Sequence, residues 1–150
     1  MRIAEGFRRR TGTLAAIAIG GAAGTLARVE LARVIPAGPG VPWETLTVNV
    51  SGAFVLGILA TLLVERLGPA RHLGPLLATG FCGSFTTFST LAVEVDLRLR
   101  SGDVLPGLGY GVISLVAGLA AIIVGAAMAR ALAGREAGTA DRPPGRRQWN

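Results

Sequence analysis

The chain has 150 residues, 51% of them hydrophobic and 16% charged, and its net charge of +6 rests on arginine as the only Lys/Arg-type residue. Soluble domains carry about 25% charged residues, so this composition and a mean hydropathy of +0.54 exclude an ordinary soluble domain and indicate an integral membrane protein. A single cysteine rules out a disulfide framework or a cysteine metal site, and arginines without an accompanying motif or interleaved aromatics speak against a nucleic-acid partner.

Residues 1–12 form a basic leading segment with Arg2, Arg8, Arg9 and Arg10. Phe7-Arg8-Arg9-Arg10-Thr11 before an apolar run has the outline of a twin-arginine or Sec signal. The run continues past any cleavage site and three further apolar runs follow, so it reads as a first membrane helix with basic flanks. It extends from Thr13 to Ala27 and stays apolar through Ile35 despite Arg28, Glu30 and Arg33. Pro36, Gly38, Pro39, Gly40 and Pro42 separate it from a second span, Thr45–Val64, and Trp43 stands where an interfacial anchor belongs. Gly68 and Pro69 precede a third span, Leu73–Val93, and Ser101 and Gly102 a fourth, Val104–Ala129. The last three spans meet the ~20 residues that a membrane helix needs. Lipid offers no partner for backbone amides, so all four are helical. The expected organisation is a four-helix membrane domain over 13–132 and a disordered basic tail over 133–150.

Most arginines fall on the side shared by the N-terminus, the second connection and the C-terminus, which places both termini in the cytoplasm. Small residues such as Gly20 with Gly24, and Gly107, Gly111, Ser114 and Gly118, allow close helix packing without a hydrophobic driving force. Four helices make a thin bundle, so a second subunit is expected.

The third span holds Gly80-Phe81-Cys82-Gly83-Ser84-Phe85-Thr86-Thr87-Phe88-Ser89-Thr90-Leu91. Glycines and hydroxyl residues at mid-span weaken the helix, and irregular backbone at that depth is tolerated only beside protein or a cavity. Freed carbonyls there suit a cation, while N–H and O–H groups suit an anion. Phe81, Phe85 and Phe88 recur at helical spacing and are expected on one face, where ring edges can meet an anion. Asn49 in the second span and Tyr110 and Ser114 in the fourth add uncharged donors, which serve either a polar path or interhelical bonding. No span is expected to carry a carboxylate or histidine at its centre, and no nucleophile–base or metal constellation suggests an enzyme. The inventory suits passive passage of a small, hydrated anion.

Three stretches, Gly20 to Arg28, Thr45 to Gly52 and Gly80 to Thr90, resemble the signature stretches of the Fluc (CrcB) fluoride channels in order and spacing. The resemblance runs from about Gly20 to Met128. It implies an all-α membrane protein of four transmembrane helices with a broken third helix, two subunits in antiparallel, dual-topology orientation, two fluoride pores along their interface and a structural sodium ion at its centre. It further implies Asn49 as the pore amide, Phe88 as the first ring of a phenylalanine pair, Thr87 and Ser89 beside the break, Tyr110 and Ser114 in a polar track, and Arg28 near the vestibule. Gly83 and Thr86 are implied as sodium ligands through backbone carbonyls. The implied activity is passive export of fluoride across the cell membrane.

Leu91 stands where the family usually has a second phenylalanine and offers no ring edge; Gly118 stands where a hydroxyl is expected. A chain that forms antiparallel homodimers inserts both ways and should show a weak arginine bias. The strong bias here leads to the expectation of a heterodimer with a homologous subunit of opposite orientation. Two other readings remain open. A small multidrug-type exporter requires a carboxylate buried in the first span, for which Glu30 is the only candidate. A non-conducting assembly subunit of a heterodimeric channel would tolerate Leu91.

Overall fold

In the computed structural model, which describes residues 2–35, 40–65 and 72–140, the described residues are helical and turn structure with no strand. Helix α1 covers Arg2–Val34 and α2 covers Trp43–Glu65. A wide-turn π-helical segment covers Gly74–Cys82, followed by α3 (Gly83–Phe85), α4 (Phe88–Arg100) and α5 (Val104–Ala140). Four stretches are long and apolar enough to cross a membrane: Arg10–Val34, Trp43–Glu65, Gly74–Arg100 and Val104–Ala133. The chain is a multi-pass, all-helical membrane protein.

The span limits move in three places. α1 begins at Arg2, so residues 2–12 run into the first span as one helix. The third span extends to Arg100 rather than Val93, because Glu94 and Asp96 do not end the helix; Arg100 pairs with Asp96 one turn earlier at 2.8 Å. α5 continues to Ala140, into the stretch 133–150 expected as a tail. Residues 141–150, the prolines and glycine at 36, 38 and 39, Gly68, Pro69, Arg66 and Arg71 lie outside the described residues.

Two glycine contacts hold the bundle. A side chain at Gly20 or Gly24 of α1 would collide with the carbonyls of Leu76 and Phe81, and one at Gly80 would meet the Ile17 carbonyl. At Gly57 of α2 it would strike the Ile122 carbonyl of α5, and at Gly125 of α5 the Phe54 carbonyl of α2. Backbone thus lies directly on backbone, the arrangement by which van der Waals contact replaces the hydrophobic effect inside a bilayer. α4 leans on α5 at its far end, where the side chain of Arg98 covers Gly107.

Between α3 and α4 two residues leave helical geometry. Thr86 (φ −76°, ψ 156°) and Thr87 (φ −144°, ψ 106°) are extended. The glycines and hydroxyl residues before them do not unwind the chain, since Gly80 to Phe85 stay helical.

Candidate functional site

The extended pair directs its hydrogen-bonding groups sideways, and α2 answers them. Asn49 Nδ2 donates to the Thr87 carbonyl at 3.0 Å, and the Thr87 N–H donates to Asn49 Oδ1 at 2.7 Å. The amide side chain therefore copies a strand partner and satisfies both backbone groups of one residue, as buried backbone requires. Thr87 also caps α4: its Oγ1 accepts from the Thr90 N–H at 3.2 Å and lies 2.8 Å from Thr90 Oγ1 and 3.3 Å from Ser89 Oγ. A threonine at this position satisfies an amide that the helix start leaves open. Thr86 Oγ1 turns back to donate to the Cys82 carbonyl at 2.9 Å.

This Asn49–Thr87 pair stands between two cavities. Asn49 lines a groove of about 360 Å³ with Thr86, Phe88, Leu91, Ser114 and Gly118. Thr87 lines a chamber of about 220 Å³ with Arg28, Glu44, Thr45, Val48 and Glu94. Asn49, Thr86, Thr87, Phe88, Ser114 and Arg28 thus gather around one partition. Ser89 is exposed and touches it through Thr87.

The phenylalanines part company. Phe81 and Phe85 stack at 5.7 Å, and Phe85 is buried. Phe88 is 72% exposed. The expectation of one shared face fails because the extended residues turn α4 relative to α3, so helical spacing no longer relates Phe88 to the other two. Leu91, by contrast, is buried within the subunit.

Tyr110 and Ser114 are both buried but serve different surroundings. Ser114 Oγ donates to the Tyr110 carbonyl at 2.7 Å, one turn back on its own helix. The Tyr110 hydroxyl donates to Glu94 Oε2 at 2.7 Å, and its ring lies under the Arg98 guanidinium at 5.7 Å. Thr45 Oγ1 donates to the other carboxylate oxygen, Glu94 Oε1, at 2.6 Å. The expectation of no carboxylate at a span's centre is not contradicted by Glu94, which lies within the third span toward its Arg100 end, but the span does carry a carboxylate with both oxygens engaged. Ending the third span at Val93 placed it outside; the signal was the spacing of Glu94 and Arg98, four apart on one helix face. Glu30, the carboxylate a multidrug-type exporter would need, pairs with Arg33 at 2.6 Å on an exposed surface and is not a buried group.

Gly83 is exposed, with open space where a side chain would begin. Cys82 is buried and free, which fits packing. No cluster of three or more His, Cys, Asp or Glu able to hold a metal occurs among the described residues.

Four apolar spans around an amide–backbone partition, with hydroxyl groups on one side and charged residues on the other, define a multi-pass membrane protein with a polar site among its helices. The sequence profile described as CrcB-like protein, Camphor Resistance (CrcB), matches residues 15–126. The chain is 46% identical over 110 residues to the fluoride-specific ion channel FluC 1 of Mycolicibacterium paratuberculosis, covering 73% of this chain and 83% of that protein. It is 42% identical over 118 residues to the fluoride-specific ion channel FluC 2 of Nocardia farcinica, covering 78% and 84%. It is 42% identical over 123 residues to the fluoride-specific ion channel FluC of Paracoccus denitrificans, covering 80% and 96%. The chain belongs to the CrcB family.

Proposed function

We propose that this chain is a subunit of a fluoride channel that lets fluoride leave the cytoplasm passively across the cell membrane, with both termini cytoplasmic. The observation that carries the reading is the Asn49–Thr87 pair between groove and chamber. One amide proton of Asn49 is engaged by the Thr87 carbonyl; a primary amide has a second. That donor and the Phe88 ring edge are uncharged groups that replace water around a small anion; the Thr86 and Ser114 hydroxyls, whose protons go to the Cys82 and Tyr110 carbonyls, line the groove beside them. Arg28 gives the chamber a positive element that attracts anions, set against the carboxylates of Glu44 and Glu94 that also line it. Glu94 would repel them, but Thr45 and Tyr110 each engage one of its oxygens.

We read Thr86 and Thr87 as the break of the third helix, and 13–132 as the conducting domain. The residues also fit sodium. In a continuous helix the Thr87 N–H would bond the Gly83 carbonyl, and the Thr90 N–H the Thr86 carbonyl. Those amides go instead to Asn49 Oδ1 and Thr87 Oγ1. Carbonyls released in this way are hard oxygen donors of the kind that coordinate sodium, and Gly83 and Thr86 would hold the ion through them.

A groove holding Asn49, Thr86 and Ser114 cannot face lipid without cost. We therefore place a second subunit over it in antiparallel orientation, and the arginine bias favours a homologous partner over a second copy. The assembly would form two pores. The test is fluoride efflux from proteoliposomes, read with a fluoride electrode, for the chain alone and with a homologous four-span subunit of reversed arginine bias. Efflux in either arm upholds the channel; efflux in neither overturns it. Robust efflux from the chain alone removes the heterodimer.

A further inference from the structure

The Glu94 carboxylate faces the chamber with both oxygens engaged, one by Thr45 and one by Tyr110. Thr45 reaches it from α2, where the hydroxyl leaves the helix on a short, stiff side chain. Tyr110 reaches it from α5 at the end of a long lever, so the hydrogen bond is only as well placed as the ring. Arg98 lies over the buried ring. Its guanidinium stacks over the Tyr110 face at 5.7 Å, and the same group donates to the Gly40 carbonyl in the connection before α2. Gly40 takes φ 105°, a backbone conformation that side-chain-bearing residues avoid. Gly107 on α5 lets the Arg98 stem pass close, because a side chain there would meet Arg98 Cβ. Arg98 therefore touches three parts of the fold: the connection before α2, its own helix α4, and α5.

Resting on the channel reading above, we infer that Arg98 is a positioning residue. It clamps the Tyr110 ring between α4 and the Gly40 connection so that the tyrosine hydroxyl keeps hold of Glu94. Arg98 makes no ion pair with Glu94 within bonding distance and acts through the ring. A planar guanidinium suits this role, since it stacks on an aromatic face while its edge donates to a carbonyl. When the ring is released, one carboxylate oxygen loses its donor. An unengaged negative charge then faces the chamber through which the anion must pass.

Two measurements test this. Tyr110 is the sole tyrosine of the chain, so a ring-labelled tyrosine gives one NMR signal in the full-length, detergent-solubilised protein. Arg98→Ala and Arg98→Gln should shift or broaden that signal, and Arg98→Lys, which keeps a cation and a donor, should largely preserve it. In conducting liposomes Arg98→Ala should lower fluoride efflux about tenfold, and Arg98→Lys should stay within about threefold of the parent. Tyr110→Phe should lower efflux as well, and adding Arg98→Ala to it should bring no further loss, since the arginine acts only through the hydroxyl. Arg100→Ala, which removes an exposed pair with Asp96, is the control that leaves both readouts unchanged. An unshifted Tyr110 signal in Arg98→Ala overturns the inference, as does efflux within twofold of the parent or a loss that multiplies with Tyr110→Phe. A parent protein that passes no fluoride refutes the channel reading alone, and the tyrosine signal still decides the clamp.

Discussion

Asn49 shows how much one amide can settle. Its carbonyl takes the Thr87 N–H and its NH₂ serves the Thr87 carbonyl, so the same side chain stabilises an extended residue at membrane depth and lines the groove. Asn49→Asp keeps the first bond and loses the second. The Thr87 carbonyl then faces a carboxylate, at a cost of about 1–3 kcal/mol for an unsatisfied buried acceptor. A negative charge also enters the path of an anion. We expect Asn49→Asp to abolish fluoride efflux from proteoliposomes while the protein still inserts; efflux retained within threefold of the parent would remove Asn49 from the pore. The same substitution separates the channel from an assembly subunit, which would tolerate the charge.

The helices owe their arrangement to where backbone can touch backbone. Gly57 and Gly125 place α2 against α5, and Gly20, Gly24 and Gly80 place α1 against the first half of the third span. Gly109 differs, since nothing lies within reach of a side chain there. Two substitutions of glycine should therefore differ in sign. Gly57→Leu drives a side chain into the Ile122 carbonyl and should destabilise the bundle by about 1–3 kcal/mol or more. Gly109→Ala fills open space and gains up to about 1 kcal/mol of helix propensity. Thermal unfolding in detergent, followed by loss of the monodisperse peak, distinguishes them. Equal effects would show that the α2–α5 contact is looser than the glycine geometry requires.

For the whole molecule the question is how the groove is covered. Both positions of the expected ring pair line it, Phe88 exposed and Leu91 buried within the subunit. If each pore joins Phe88 of one subunit to the residue at position 91 of the other, this chain weakens one pore of a pair. Leu91→Phe should then raise fluoride efflux of the heterodimer by about twofold at most, the gain from bringing one of two parallel paths to full rate. No change would mean that position 91 is silent in this protein.

Composition and apolar run length alone determined four membrane helices, because a bilayer admits no other way to satisfy so much backbone. The motif stretches likewise pointed to Asn49, Thr86, Thr87 and Phe88, which do meet around one partition. Tertiary structure decided the rest. The stacking of Phe81 on Phe85 without Phe88 depends on two extended residues, which break the periodicity that any reading of spacing assumes. Glu94 was hidden because charge looks like a span end when partners are unseen; its two hydroxyl donors come from residues 45 and 110, brought together only by packing of α2 and α5 on α4. Local pattern records which groups are present, but distant neighbours decide which of them face each other.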